Sequence, residues 1–133
     1  MISALDSSII LDVLTDDPHF SQRSEALLRR AATDGKLVIS ECVLAEIAPA
    51  FEDEKALKEF LVDWQIEFVP SSCDSAILAG RCFARYLSRG RRAGRIVADF
   101  LIGAHAMLHA DRLLARDRGY LRDYFSKLKV EIR

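Results

Sequence analysis

The sequence predicts an α/β fold, a three-layer α/β/α sandwich with a mainly parallel central sheet. Short apolar segments alternate with longer segments of helical periodicity, and a helix between two strands returns the chain so that the strands can run parallel. The 133 residues, half of them hydrophobic, can bury a core without disulfides or a structural metal. No repeat or linker-like segment divides the sequence, so a single domain over residues 1–133 is predicted.

Five segments are predicted to be strands because they are short, apolar and bounded by polar or turn-forming residues. The predicted strands cover residues 1–5, 36–40, 65–69, 112–115 and 127–132. Apolar residues at helical spacing predict the helices that connect them. The predicted helices cover residues 9–14, 18–33, 40–51, 54–64, 74–88 and 96–110, and a loop with a short helix covers residues 117–125.

Several helix ends carry specific signals. Asp17 is predicted to cap the second helix, with Pro18 at its first helical position, where no amide donor is needed. Pro49 must end or kink the third helix, because its ring removes a donor and clashes with the preceding turn. Residues 71–74 match a capping box before the fifth helix.

The cysteine content and the apolar segments indicate the cellular compartment. The three cysteines are an odd number without Cys-x-x-Cys spacing, which argues against a disulfide framework and a zinc site. The first fifteen residues lack the basic start of a secretory signal. The longest apolar run, residues 96–108, contains Asp99 and His105 and is too short for a membrane span. A cytoplasmic protein without a membrane partner is therefore expected.

The net charge of −1 conceals two halves of opposite charge. Residues 1–80 hold 15 acidic and 6 basic side chains, whereas residues 81–133 hold 5 acidic and 13 basic ones. A basic half in a small protein favours a surface that meets a polyanion. A chance distribution of charge over a solvated surface is the alternative.

Two aspartates directly follow predicted strands. Asp6 follows the first strand and Asp117 follows the fourth. In open α/β sheets ligands bind beyond the carboxyl ends of the strands, so both side chains are expected at that edge. Each could instead cap the helix that follows it, because aspartate is a favoured N-cap residue.

Two further acids stand among apolar residues in predicted helices. Asp99 lies in the first turn of the helix over 96–110, and Glu46 lies in the third helix. Ionised carboxylates are rarely buried unless they are paired or bound to a cation, so both favour a metal site. For Asp99 the alternative is the helix dipole, which contributes about 0.3–1 kcal/mol. Glu41 lies about 140° from Glu46 around the same helix and is not expected at the same site.

The four acids are predicted to converge on one or two divalent cations. Clustered carboxylates repel unless a cation neutralises them, and hard oxygen ligands favour Mg²⁺ or Mn²⁺ over Zn²⁺. Such a site can activate water for attack on a phosphodiester. His105 and His109 share a helix face at i, i+4, but no third ligand is evident and they are not predicted to bind metal.

An arginine cluster precedes the helix that carries Asp99 and is predicted to bind the phosphates of a nucleic acid. Guanidinium groups pair bidentately with phosphate oxygens. A solvated helix end and loop is the alternative for this segment. The predicted substrate-binding residues are Arg85, Arg89, Arg91, Arg92, Arg95 and Arg116.

Four segments match the motifs of one family. They are residues 5–8 (LDSS), 40–46 (SECVLAE), 98–106 (ADFLIGAHA) and 113–120 (LLARDRGY). Together they resemble the PIN-domain nucleases, and more narrowly the VapC-type toxins of bacterial toxin–antitoxin pairs. The resemblance covers essentially the whole chain in order and length. It implies a PIN-like α/β/α sandwich and an endoribonuclease that depends on Mg²⁺ or Mn²⁺.

The resemblance also implies roles for individual residues. The residues that match the family's catalytic acids are Asp6, Glu46, Asp99 and Asp117. Asp6 and Asp99 would bind the metal directly, and the other two would complete the pocket through water or a second ion. Ser7 or Ser8 would support the first acid by hydrogen bonding. Ala115 stands where the family commonly has threonine or serine, which removes a hydroxyl near the fourth acid.

The resemblance also implies partners, and two other functions are considered as alternatives to a nuclease. The resemblance implies an RNA substrate, a homodimer and a cognate antitoxin, a segment of which would lie across the active-site groove. Separately, the helices over 18–33 and 54–64 are predicted to form an apolar hairpin on which such partners dock. A non-catalytic PIN-fold module that binds RNA or protein is an alternative, although it would not need the four acids. A receiver or phosphatase domain is disfavoured because residues 6–8 lack the second acid of a D-x-D motif.

Overall fold

The computed structural model describes residues 1–90, 94–116 and 119–132. These residues form a five-stranded sheet in the order β3-β2-β1-β4-β5, in which every neighbouring pair is parallel. The strands are β1 (Ile2–Leu5), β2 (Lys36–Ile39), β3 (Ile66–Phe68), β4 (Arg112–Ala115) and β5 (Val130–Ile132). The predicted α/β/α sandwich with a parallel sheet is confirmed.

Helices connect the strands as the apolar periodicity predicted. They are α1 (Ser7–Leu14), α2 (Ser21–Asp34), α3 (Glu41–Ile47), α4 (Glu54–Asp63), α5 (Cys73–Ser88), α6 (Val97–His109) and α7 (Gly119–Tyr124). The predicted effect of Pro49 is confirmed, because α3 ends at Ile47 and a 3₁₀ turn over Ala48–Ala50 follows.

Two predicted helix caps were wrong. Helix α2 begins at Ser21 rather than Pro18, because the Asp17 carboxylate accepts hydrogen bonds from the amides of His19 and Phe20 at 2.8 and 2.9 Å and so closes a separate turn. At the start of α5 the reciprocal cap joins Ser72 and Ser75, one residue later than the predicted 71–74 box.

The core lies on both faces of the sheet around β1. Neighbouring residues of β1 and β4, such as Ala4 and Leu5 or Leu113 and Leu114, point to opposite faces and are all buried. The amide of Asp6 donates to the Leu114 carbonyl at 2.9 Å, so the carboxyl ends of these two strands are joined. Asp6, which follows β1, therefore lies next to the beginning of the loop that follows β4.

Two helix glycines predict opposite effects of alanine on stability. A Cβ on Gly103 in α6 would lie 2.5 Å from Cε2 of the buried Phe125 ring, whereas a Cβ on Gly80 in α5 would meet no atom within 4 Å. We expect Gly103→Ala to lower the free energy of unfolding by about 1–3 kcal/mol, because the core becomes overpacked. Gly80→Ala should raise it by about 0.8 kcal/mol through helix propensity. Urea unfolding of both variants checks this, and shifts of the same sign would contradict it.

Within the described ranges, every helix is too short or too polar to cross a bilayer.

Candidate active site

A cavity of about 230 Å³ opens at the carboxyl ends of β1 and β4. Its walls carry both acidic and basic groups. The polar side chains that line it are Asp6, Ser8, Arg95, Asp99, Arg116 and Tyr120. The cavity lies where the topology of a parallel sheet predicts a ligand site.

Asp6 occupies the N-cap position of α1, but in the described part of the chain its carboxylate does not cap the helix. Instead, Oδ2 accepts a hydrogen bond from the Ser8 hydroxyl. Burial raises the pKa of Asp6, and the nearby Asp99 carboxylate raises it further, while the Ser8 hydroxyl and the amides of Ser7 and Ser8 partly offset the rise. Asp6 is therefore a carboxylate whose negative charge is poorly compensated by the protein.

Asp99 both interacts with the amino-terminal end of α6 and lines the cavity, the two roles that its sequence position left open. Its Oδ2 accepts a hydrogen bond from the amide of Ile96 at 2.9 Å, which satisfies one donor at the start of α6. The same side chain lines the cavity with Asp6. The sequence argument overstated its burial, since Ile96 and Val97 are 60% and 45% exposed and the buried face of α6 begins at Phe100.

Glu46 lies near this pair but on the exposed side of α3. Partial burial raises the pKa of Glu46, and the charges of Asp6 and Asp99 raise it further, whereas the side chain of Ser7 lowers it. The side chains of the two serines after Asp6 thus interact with different acids. Ser8 donates to Asp6, and Ser7 interacts with Glu46. Glu41 points elsewhere, as its angle around the helix predicted, and accepts a hydrogen bond from the Ser71 amide at 2.8 Å.

The arginines predicted to bind substrate fall into three groups. Arg95 lines the cavity, with its guanidinium carbon 4.4 Å from the centre of the Tyr120 ring. Arg116 also lines the cavity and forms an ion pair with Asp12. Arg85 and Arg89 lie over a second tyrosine ring further along α7. The predicted residues that lie outside the described part of the chain are Arg91, Arg92 and Asp117.

Tyr120 is a site residue that the sequence analysis missed. Its hydroxyl donates to the backbone carbonyl of Asp99 at 2.6 Å, and its ring supports Arg95. Burial raises the pKa of Tyr120, and Asp99 and Asp6 raise it further, so the hydroxyl stays protonated and remains a donor. Tyr120 is the last residue of the motif over 113–120 and lies at the start of a short helix, which is the signal that could have indicated it.

The donor set fits a hard divalent cation. Among the described residues, one carboxylate oxygen of Asp99 takes part in none of the hydrogen bonds described above, and Asp6 lines the same cavity. Among residues 1–90, 94–116 and 119–132, no three acidic, histidine or cysteine side chains cluster closely enough to hold a metal alone. Mg²⁺ commonly uses one or two carboxylates together with water and substrate phosphates, so two aspartates suffice.

The two histidines of α6 have a different environment. Nε2 of His105 lies 2.7 Å from the Val69 carbonyl, and Nε2 of His109 lies 3.1 Å from the Ser72 hydroxyl. Both rings join α6 to the segment that precedes α5. Burial lowers the pKa of His105, which is consistent with a neutral ring that donates to a carbonyl.

Comparison with known proteins agrees with the fold. The model of the PIN domain family matches residues 4–125. No curated protein sequence matches the chain. Among solved structures, VapBC-1 from nontypeable Haemophilus influenzae has a TM-score of 0.72 at 18% identity, with 99% of this chain and 98% of that chain covered.

Two more solved structures share the fold at similar identity. VapBC2 from Rickettsia felis, bound to a DNA fragment from its promoter, has a TM-score of 0.71 at 21% identity, with 99% and 98% of the two chains covered. FitAcB from Neisseria gonorrhoeae has a TM-score of 0.64 at 20% identity, with 98% and 96% covered. Because the family match spans most of the sequence, the chain belongs to the PIN domain family.

Proposed function

We propose that the protein is an endoribonuclease that depends on Mg²⁺ or Mn²⁺ and acts as the toxin of a toxin–antitoxin pair. The observation that carries this proposal is the pairing of Asp6 and Asp99 in one cavity at the end of β1. The two carboxylates are close enough that the charge of Asp99 helps to raise the pKa of Asp6, and among the described residues one oxygen of Asp99 is left for a cation. Among the described residues, neither acid forms an ion pair with the arginines of the cavity, and two neighbouring carboxylates favour a divalent cation.

The residues around the pair have complementary roles in phosphodiester hydrolysis. A divalent cation bound by Asp6 and Asp99 would supply Lewis acidity and lower the pKa of a water molecule. Glu46 and Asp117 would complete the acidic pocket and orient the attacking water through hydrogen bonds. Arg95 and Arg116, which line the same cavity, would hold the phosphate oxygens.

The biological role rests on family likeness. The sequence resembles VapC-type toxins, and VapBC and FitAcB structures share its fold. We therefore include a cognate antitoxin and a homodimer among its partners. The antitoxin surface would lie on α4 rather than on the apolar face of α2, because Leu27 and Leu28 are buried in the core whereas Val62 is 73% exposed.

RNA cleavage by the purified protein tests the proposed activity. A pool of total RNA or tRNA is incubated with Mn²⁺ or Mg²⁺, and in parallel with excess EDTA. We expect discrete cleavage products that appear with metal and disappear with EDTA. Cleavage that persists in EDTA would contradict the metal-dependent mechanism, and RNA binding without any cleavage would favour the non-catalytic module.

A further inference from the structure

Arg116 lines the same cavity as Asp6 and Asp99 but is bound to an acid outside it. We call Asp6 and Asp99 the acid pair. Among the described residues, the ion pair of Arg116 is formed with Asp12, which does not line the cavity. A guanidinium and two carboxylates in the wall of one cavity of about 230 Å³ attract each other. The direction in which Arg116 points therefore needs a physical cause.

Asp12 lies on the buried side of α1 and has a partner for each carboxylate oxygen. Its side chain is only 1% exposed. Oδ2 accepts a hydrogen bond from the Ser24 hydroxyl of α2 at 2.7 Å, and Oδ1 accepts one from Nη2 of Arg116. Ser24 is itself fully buried. Because a buried carboxylate is costly without its partners, Asp12 has a fixed position between α1 and α2.

The side chain of Arg116 extends from the end of β4 to this fixed acid. Arg116 directly follows β4, so its backbone stays at the edge of the sheet where the cavity opens. Its guanidinium carbon lies 5.6 Å from the centre of the Phe20 ring, just before α2. The charged end of Arg116 is therefore held on the α1–α2 side of the cavity by an acid and an aromatic ring.

The acid pair would compete for Arg116 if Asp12 did not bind it. Guanidinium groups form two parallel hydrogen bonds with carboxylates, and arginine stays charged at every ordinary pH. An arginine bound there would occupy the oxygens that a divalent cation uses, so the cation would have to displace it. The second arginine of the cavity, Arg95, is restrained differently, because its guanidinium carbon lies 4.4 Å from the centre of the Tyr120 ring.

We propose that Asp12 is a positioning residue that holds Arg116 against α1 and α2 and so keeps the acid pair open for a divalent cation. The proposal rests on the metal-dependent function proposed above and adds a residue outside the cavity to the site. Asp12 contacts neither the cation nor the substrate in this role. It acts through Arg116, whose guanidinium it directs away from the acid pair.

Binding of Mn²⁺ without RNA tests this proposal. Free Mn²⁺ is measured by electron paramagnetic resonance, and the binding that counts is the part lost in Asp99→Asn. Asp12→Asn keeps the shape of the side chain and an acceptor for Ser24, but it offers Arg116 no charge. We expect it to raise the Kd for Mn²⁺ about 10-fold, the effect of a competing hydrogen bond between charged groups.

The double variant Asp12→Asn/Arg116→Gln separates positioning from bulk charge. Once Arg116 is replaced, Asp12 has no guanidinium to hold, so Asp12→Asn should leave the Kd for Mn²⁺ equal to that of Arg116→Gln alone. A loss of long-range attraction, or a distorted core, would instead weaken Mn²⁺ binding by the same factor in both backgrounds.

Asp34→Asn is the matched control. Asp34 ends α2 and forms an ion pair with Arg112, which begins β4 and so lies at the opposite edge of the sheet from the cavity. This variant removes the same charge from the same kind of pair. We expect it to leave the Kd for Mn²⁺ unchanged.

Ser24→Ala decides the proposal if Asp12→Asn does not fold. Removal of the Ser24 hydroxyl loosens Asp12 without removing its charge. We expect the Kd for Mn²⁺ to rise about 2- to 5-fold, the range for one hydrogen bond, and only while Arg116 is present.

Three outcomes would overturn the role of Asp12. They are a Kd for Mn²⁺ in Asp12→Asn equal to that of the wild type, an equal rise with and without Arg116, and an equal rise in Asp34→Asn. Wild-type protein that binds Mn²⁺ at the acid pair but cuts no RNA would refute the proposed nuclease alone. Wild-type protein that binds no Mn²⁺ would refute both proposals.

Discussion

Asp6→Asn and Asp99→Asn are each expected to lower the rate of RNA cleavage by about 1000-fold or more, which corresponds to about 4 kcal/mol of lost transition-state stabilisation. Asparagine has nearly the shape of aspartate but lacks the negative charge that a divalent cation requires. The Ser8 hydroxyl can still donate to the amide oxygen at position 6, so the local structure is retained. The measurement is cleavage of a fixed RNA in Mn²⁺ by the wild type and both variants.

Glu41→Gln is the matched control for this prediction. Glu41 lies on α3 like Glu46, but it bonds to the Ser71 amide away from the cavity. Its replacement should change cleavage by less than about 3-fold, within the range of a surface substitution. Cleavage by Asp6→Asn or Asp99→Asn at the wild-type rate would place the chemistry elsewhere or reveal a contaminating nuclease.

Asp6→Asn should also show a pH-dependent gain in stability when no metal is present. Because the pKa of Asp6 is raised in the folded protein, its protonated form is favoured there, and this contribution is lost as pH rises through the folded pKa. Asparagine stays neutral at every pH. The melting temperature of Asp6→Asn relative to the wild type should therefore increase from pH 4 to pH 7, and a constant difference would contradict the pKa argument.

Asp12→Ala is expected to lower the free energy of unfolding by about 1–3 kcal/mol, because a buried hydroxyl loses its acceptor, whereas the Arg116 side chain is 45% exposed and water can solvate its charge. Asp12 is only 1% exposed, forms an ion pair with Arg116 and accepts a hydrogen bond from the buried Ser24 hydroxyl at 2.7 Å. Alanine leaves a cavity and removes the acceptor of Ser24. Chemical denaturation of the variant and the wild type measures the loss.

Glu25→Ala provides the comparison for Asp12→Ala. Glu25 forms an ion pair with Arg29 at 2.8 Å, but the two side chains are 44% and 68% exposed. Exposed pairs contribute between about 0 and 1 kcal/mol, so this variant should be nearly as stable as the wild type. Equal losses in Asp12→Ala and Glu25→Ala would show that burial does not determine the strength of these pairs.

The strands and helices could be predicted because their signals are local. Apolar runs and periodicity lie within each segment, and β4 was predicted over the residues that form it. The strand order could not be predicted from such signals, since it depends on pairing between distant segments. The predicted start of α2 was wrong because the Asp17 carboxylate accepts hydrogen bonds from the amides of His19 and Phe20. It therefore does not cap a helix that begins at Pro18.

Part of the candidate site could also be predicted. Asp6 follows a strand and Asp99 opens a helix, and the general rule for parallel sheets brings both to one edge. The division of Ser7 and Ser8 between two acids, and the stacking of arginines on the tyrosines of α7, depend on side chains from separate elements. No periodicity within a segment encodes such contacts.

The central position of β1 has a consequence for synthesis of the protein. β1 pairs with β2, which follows early in the chain, but its other neighbour is β4, near the carboxyl-terminal end. Until β4 leaves the ribosome, one edge of β1 stays open, and the Leu114 carbonyl that fixes the amide of Asp6 does not yet exist. The acid pair therefore forms late in translation. The site of the proposed nuclease would therefore be completed only when nearly the whole chain has been synthesised.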